Sequence, residues 1–144
     1  MGTRFSVGGF DVVASSVPHV GETNGYRVTH GGRSVAYVCD HQQPVDSLRI
    51  DERVQRLCAG VDLLIHDAQY TPAEFAGKST WGHCTVEYAV WLAAQVGARR
   101  LALFHHDPDR DDDRLDRLAE DARECGLGMG VEVFAARERL TVDV

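Results

Sequence analysis

The sequence predicts an α/β fold, one mixed sheet with helices laid on one face. Three observations carry this. The first forty residues are rich in β-branched and aromatic residues and contain a Gly-Gly pair between two such runs. Downstream, short apolar strands alternate with amphipathic helical segments, the pattern of βαβ units. Those strands, VAYVC, LLI and LALF, are near-continuous apolar runs, the habit of sheets meant to be buried on both faces.

Each element follows from its local pattern. FDVVASSV and GYRVTH are β-rich, and GYRVTH-GG-RSVAYVC reads as a hairpin turning at Gly31-Gly32. DSLRIDERVQRLCAG reads as a helix near 47–59, with Leu48, Val54, Leu57 and Cys58 available to one face and Gly60 as the stop. DLLIHDA is a short buried strand. Residues 71–81 form a loop with one helical turn, given Pro72 and Gly77. TVEYAVWLAAQVG is a stronger helix near 85–97. Val86, Ala89, Val90 and Ala93 recur at helical spacing, and Thr85 caps the start. RRLALFH is the next strand. DDDRLDRLAEDARECG is an acidic helix near 111–125 with Leu115, Leu118, Ala119 and Ala122 inward. VEVFAA and RLTVDV close the chain as two more strands.

The 144 residues make one domain, 1–144, with 44% hydrophobic and 26% charged residues. That is ordinary globular usage and excludes a disordered or fibrous chain. LLI and LALF are too short to span a membrane. MGTRFSVGGFDVV lacks the layout of a secretory signal, so a reducing cytoplasm is expected. Cys39, Cys58, Cys84 and Cys125 are too widely spaced for a CxxC site and are expected to be mostly buried thiols. Fifteen Lys and Arg against twenty-two Asp and Glu give a net charge of -7. Bulk charge therefore attracts no nucleic acid, and any phosphate must be met locally.

Three apolar strands end in groups suited to metal or proton chemistry: RSVAYVC at Asp40, DLLIH at His66-Asp67, and LALFH at His105-His106. The carboxyl ends of such strands form the ligand edge of an α/β sheet. Imidazole and carboxylate both suit Zn²⁺. Neighbours in a strand face opposite ways, so only one of His66 and Asp67 faces that edge.

VPHVGETNGYRV, RSVAYVCDH, DLLIHDAQYT, WGHCTVEYAVWLA and RLALFHHDP, in this order, resemble the second half of metallo-β-lactamase-fold hydrolases, nearest the ribonuclease Z-like and phosphodiesterase-like branch. The resemblance implies half of an αββα sandwich. It implies metal ligands at His19, Asp40 and His105, with Asp40 bridging two ions. It implies His83 as a proton donor near the scissile phosphate, partnered by Asp67. Zinc is the implied cofactor, two ions in complete members, with manganese or iron possible. The substrate would be a small-molecule or nucleotide phosphodiester.

Two departures accompany the resemblance. Cys84 stands where Ser or Thr is usual, which should weaken the helix cap. The H-x-H-x-D-H loop that supplies most ligands is absent from the sequence, so three ligands split over two positions should hold metal weakly and leave the chain alone weak or inactive. The rival reading is a catalytically silent, truncated remnant that works as an oligomer or partner-binding module. The strands point the same way, because the helices suffice for one sheet face. The other face awaits a second copy, a partner or a missing N-terminal half. Of the remaining candidates, His66 is expected to be a hydrogen-bonded core imidazole, His106 structural or a support to the ligands beside it, and His30 and His41 in turns or solvent. The acidic run from Asp107 reads as a solvated helix start, and Trp81 as a weak candidate for substrate stacking.

Overall fold

The computed structural model describes residues 2–144. Among them, seven strands form a single sheet in chain order: β1 (Thr3–Val7), β2 (Phe10–Val17), β3 (Thr23–His30), β4 (Arg33–Val38), β5 (Leu63–Asp67), β6 (Arg100–Phe104) and β7 (Glu132–Ala135). Four helices connect the later strands: α1 (Glu52–Cys58), α2 (Pro72–Lys78), α3 (Val86–Gln95) and α4 (Asp112–Met129). The first four strands pair antiparallel and β4 through β7 pair parallel. Gly31 and Gly32 both have positive φ, 57° and 79°, as a two-residue turn of this hairpin type requires.

Each parallel crossover steps one place in the same direction. Right-handed connections then lay successive helices on the same face. The register shows the result. Ala36, Leu64, Leu101 and Val133 lie side by side across β4 to β7, all buried, beneath Val54, Leu57, Val90 and Ala122 of the helices. The opposite row runs Tyr26, Tyr37, Ile65, Ala102 and Phe134. No helix covers it. On that side Phe5, Phe10, Tyr26, Tyr37 and Phe104 are between 37% and 45% exposed. The sequence's apolar runs are therefore met by helices on one face only.

Several elements differ from expectation. α1 starts at Glu52, because Asp51 accepts from the Arg53 amide and fixes the N-cap there. Leu48 lies before the helix and is exposed rather than inward. α4 continues to Met129 and stops at Gly130 in the left-handed region. Its Gly126 sits where an added Cβ would collide with Val133, so the glycine sets how closely helix and β7 approach. α3 is capped by Thr85, whose side chain accepts from the Tyr88 amide, so Cys84 does not weaken the cap. RLTVDV forms no strand. A turn closed by Leu140 N–H to Arg137 C=O, with Arg139 at φ 65°, breaks its extension. Asp107 is buried and accepts from Lys78 at 3.2 Å rather than being solvated. Among the described residues no helix is long and apolar enough to cross a membrane, and the cysteines are free, with Cys125 exposed and the other three buried.

Candidate metal centre

The parallel strands deliver their polar ends to one edge. Asp40 follows β4, Asp67 closes β5 and His105 follows β6. Asp40 and His105 hold positive φ, 51° and 56°, so the chain reverses sharply at both. Side chains in that strained conformation are typical of functional sites. His105 Nε2 lies 3.2 Å from the Asp40 carboxylate. Two further histidines come from loops. His83 precedes the capped start of α3, and His19 lies between β2 and β3. The His83 ring stacks on His105 at 4.8 Å and 18°, and His19 meets His83 edge-on at 5.5 Å. All five residues singled out from the sequence thus stand together.

Asp67 organises this edge. It is fully buried, yet its carboxylate accepts from the amides of His41, Gln69 and Cys84 and from His83 Nδ1 at 2.7 Å. These four donors meet the hydrogen-bonding needs of the buried carboxylate. His83 therefore has its Nδ1–H committed to Asp67, leaving Nε2 free. His19 is set in the same way. Its Nδ1 donates to the Gly82 carbonyl at 2.8 Å, and Nε2 stays available. Gly82 has φ 103°, and an added Cβ would run into the His19 ring, so only glycine permits this approach.

Behind Asp67 lies an imidazole pair. His66 faces the helices and is fully buried, as expected, with Nδ1 donating to the Asp67 carbonyl at 2.7 Å. His41 corrects the expectation of a solvent or turn residue. It is fully buried and its Nδ1 reaches His66 Nε2 at 2.9 Å. The reversal at Asp40 tucks it under the strand ends. Burial pushes both rings well toward the neutral form. Neutral rings fix the tautomers: His66 donates from Nδ1 and accepts at Nε2, so His41 donates from Nδ1. The Cys84 thiol donates to the His41 carbonyl at 2.9 Å.

Sequence reasoning missed three other contributors. Gln42 Oε1 accepts from the Gly82 amide and Gln43 Oε1 from the Thr85 amide, so the segment after Asp40 clamps the loop that carries His83. Cys39 places its thiol within 4.8 Å of donor atoms of both Asp40 and His105. Burial, and then the nearby Asp67 and Asp40, push that thiol up to about 11. The polar run C-D-H-Q-Q directly after an apolar strand was the available signal. His106 is structural as expected, tied to the Ala136 carbonyl at 3.2 Å. His30 stays exposed, against Phe10. Trp81 is exposed, with Lys78 over its ring. A groove between α4 and β7 lies elsewhere, and none of its lining residues belongs to this edge.

The donors fit a zinc-type ion. Asp67, His83 and His105 present ligand atoms within 4.8 Å of one another, as do Cys39, Asp40 and His105. Nitrogen, oxygen and sulfur are the donors zinc takes. His105 Nδ1 is buried without a hydrogen-bond partner, a costly arrangement unless something meets it. His19 has the tautomer of a metal-bound imidazole, one nitrogen donating to a carbonyl and the other free.

Residues 2–106, which hold every residue of this edge, match the Beta-lactamase superfamily domain. The chain belongs to the β-lactamase superfamily. Among curated members it is similar to ribonuclease Z of Thermobifida fusca (strain YX), 30% identical over 119 residues that cover 83% of this chain and 34% of that protein. Ribonuclease Z of Salinispora arenicola (strain CNS-205) is 30% identical over 130 residues, 85% of this chain and 38% of that protein. The superfamily chain described here thus spans a little over a third of the length of these relatives. The fold agrees with solved members. The metallo-β-lactamase fold protein YhfI from Bacillus subtilis has a TM-score of 0.72 at 22% identity, covering 94% of this chain and 50% of that one. The short form of human tRNase Z has a TM-score of 0.67 at 23% identity, covering 96% and 45%.

Proposed function

We propose that this chain carries the strand-end half of a metal-dependent hydrolase site that cleaves phosphodiesters. The observation that carries the reading is the pair His83 and Asp67, 2.7 Å apart, stacked against His105 at the metal edge. His19, Asp40 and His105 would hold the metal, and Asp40, with two carboxylate oxygens, is the ligand able to serve two ions. Bound zinc, or manganese or iron, would supply Lewis acidity and an activated water.

The chain's own groups do the rest. Asp67 keeps Nδ1–H of His83 in place and stabilises the imidazolium. His83 then gives its Nε2 proton to the leaving oxygen. The acidic chain offers no bulk attraction for a polyanion, so the phosphate would be recognised locally, at the metal and at His83 beside the α3 start. The name ribonuclease Z of its relatives favours a diester over other esters.

The test is hydrolysis of bis(p-nitrophenyl) phosphate by the full chain loaded with zinc or manganese. The expected result is slow turnover that falls by about 10²-fold or more in His83→Ala, the usual range for a lost general acid. Turnover indifferent to His83→Ala, or a chain that binds neither zinc nor manganese at any loading, overturns the reading.

A further inference from the structure

The three ligands just named would be shared between two ions, where a catalytic zinc ordinarily takes three protein ligands of its own. One donor at the same edge has no role in that reading. Cys39, the residue before Asp40, is 4% exposed, and its sulfur lies within 4.8 Å of donor atoms of Asp40 and His105. Successive strand residues point to opposite faces. Here the reversal at Asp40 brings two successive side chains to one point, and the matching reversal at His105 presents its ring to both. A tetrahedral ion spaces its ligand atoms by roughly 3.3–3.8 Å, so side-chain shifts of about 1 Å or less complete the set. A thiolate and a carboxylate together neutralise a divalent ion.

The other thiol-bearing cluster, His41, His66 and Cys84, lies fully buried behind Asp67, with only His41 Nε2 left unpartnered. Its two rings bond to each other and its thiol to a carbonyl.

We propose that Cys39 is a metal ligand, forming with Asp40 and His105 a three-donor site for one zinc-type ion on this chain. The inference rests on the metal-centre reading above. Binding forms the metal–sulfur bond and releases the thiol proton to solvent.

Cobalt(II) titrated into the reduced full chain provides the test, because a thiolate ligand adds a near-ultraviolet charge-transfer band that oxygen and nitrogen ligands do not. The band is expected in the wild-type chain and in Cys84→Ser. It should vanish in both Cys39→Ser and Cys39→Ala, each checked for a native circular dichroism spectrum. Zinc affinity, measured by competition with a chromophoric chelator, should fall at least about tenfold in the two Cys39 variants, the scale of a lost metal-site contact. Cobalt bound without the band, or a band that survives Cys39→Ser, overturns the inference and leaves the metal centre standing. No cobalt bound at all overturns both.

Discussion

His83 Nδ1 sits 2.7 Å from the carboxylate of Asp67, and that carboxylate, fully buried, is held by three backbone amides as well. The catalytic candidate and the local fold thus share one anion. Asp67→Ala should leave the amides of His41, Gln69 and Cys84 unpaired, each costing about 1–3 kcal/mol. Urea unfolding is expected to show a loss of at least about 3 kcal/mol. A variant as stable as the wild type would mean the amides find other partners.

Asp40 pays for its position in backbone strain, with φ at 51°. A left-handed side chain costs roughly 1–2 kcal/mol relative to glycine. Its ion pair with His105 is half-exposed and offsets little of that. Asp40→Gly should therefore raise the metal-free chain's stability by about 1 kcal/mol while removing zinc binding. Zinc retained by a stabilised variant would place the ligands elsewhere.

The buried pair His41 and His66 makes stability fall in acid. Burial lowers both folded-state values below the usual one near 6.5. The unfolded chain then takes up protons that the folded chain refuses. Their contribution is complete above about pH 6.5 and declines as pH falls below it, by up to about 1.4 kcal/mol per unit for each ring. Urea midpoints measured in chelator between pH 7.5 and 5 should drop, and drop less in His66→Gln. A flat profile would contradict the neutral assignment of the two rings.

Two glycines of α4 should respond oppositely to the same change. An alanine methyl at Gly126 meets Val133 and the Val131 carbonyl, so Gly126→Ala should cost about 1–3 kcal/mol through overpacking. Gly128 has open space around it and no positive φ, so Gly128→Ala should gain about 0.5–1 kcal/mol. Thermal melts of the two variants read both signs.

The uncovered sheet face leaves five aromatic side chains, Phe5, Phe10, Tyr26, Tyr37 and Phe104, partly in water on one side, and clustered exposed apolar groups of this kind mark contact surfaces. Light scattering of the full chain at micromolar concentration should show association, and a hydrophobic dye should brighten. Tyr37→Lys with Phe104→Lys should reduce both signals. A dye-silent wild-type monomer would show that this face needs no cover.

The sequence by itself determined the order of elements and the residues at the strand ends. Helical spacing in 86–93 and turn glycines at 31–32 are local signals, readable because backbone geometry repeats every few residues. Asp40, Asp67 and His105 were legible for the same reason: each ends an apolar strand, and parallel strands bring such ends together. The tertiary structure alone decided what the strand-end turns do. Positive φ at Asp40 turns His41 into the core and brings Cys39 to the metal edge, although neither residue carries a periodic signal. The stop at Arg139 is a local turn that the β-rich composition of RLTVDV did not show, and the run of α4 through its glycines is explained only by the close approach of Gly126 to Val133 of β7. Burial of the second sheet face depends on apolar surface outside these residues' own helices, so a strand's composition records the need for cover and leaves its source open.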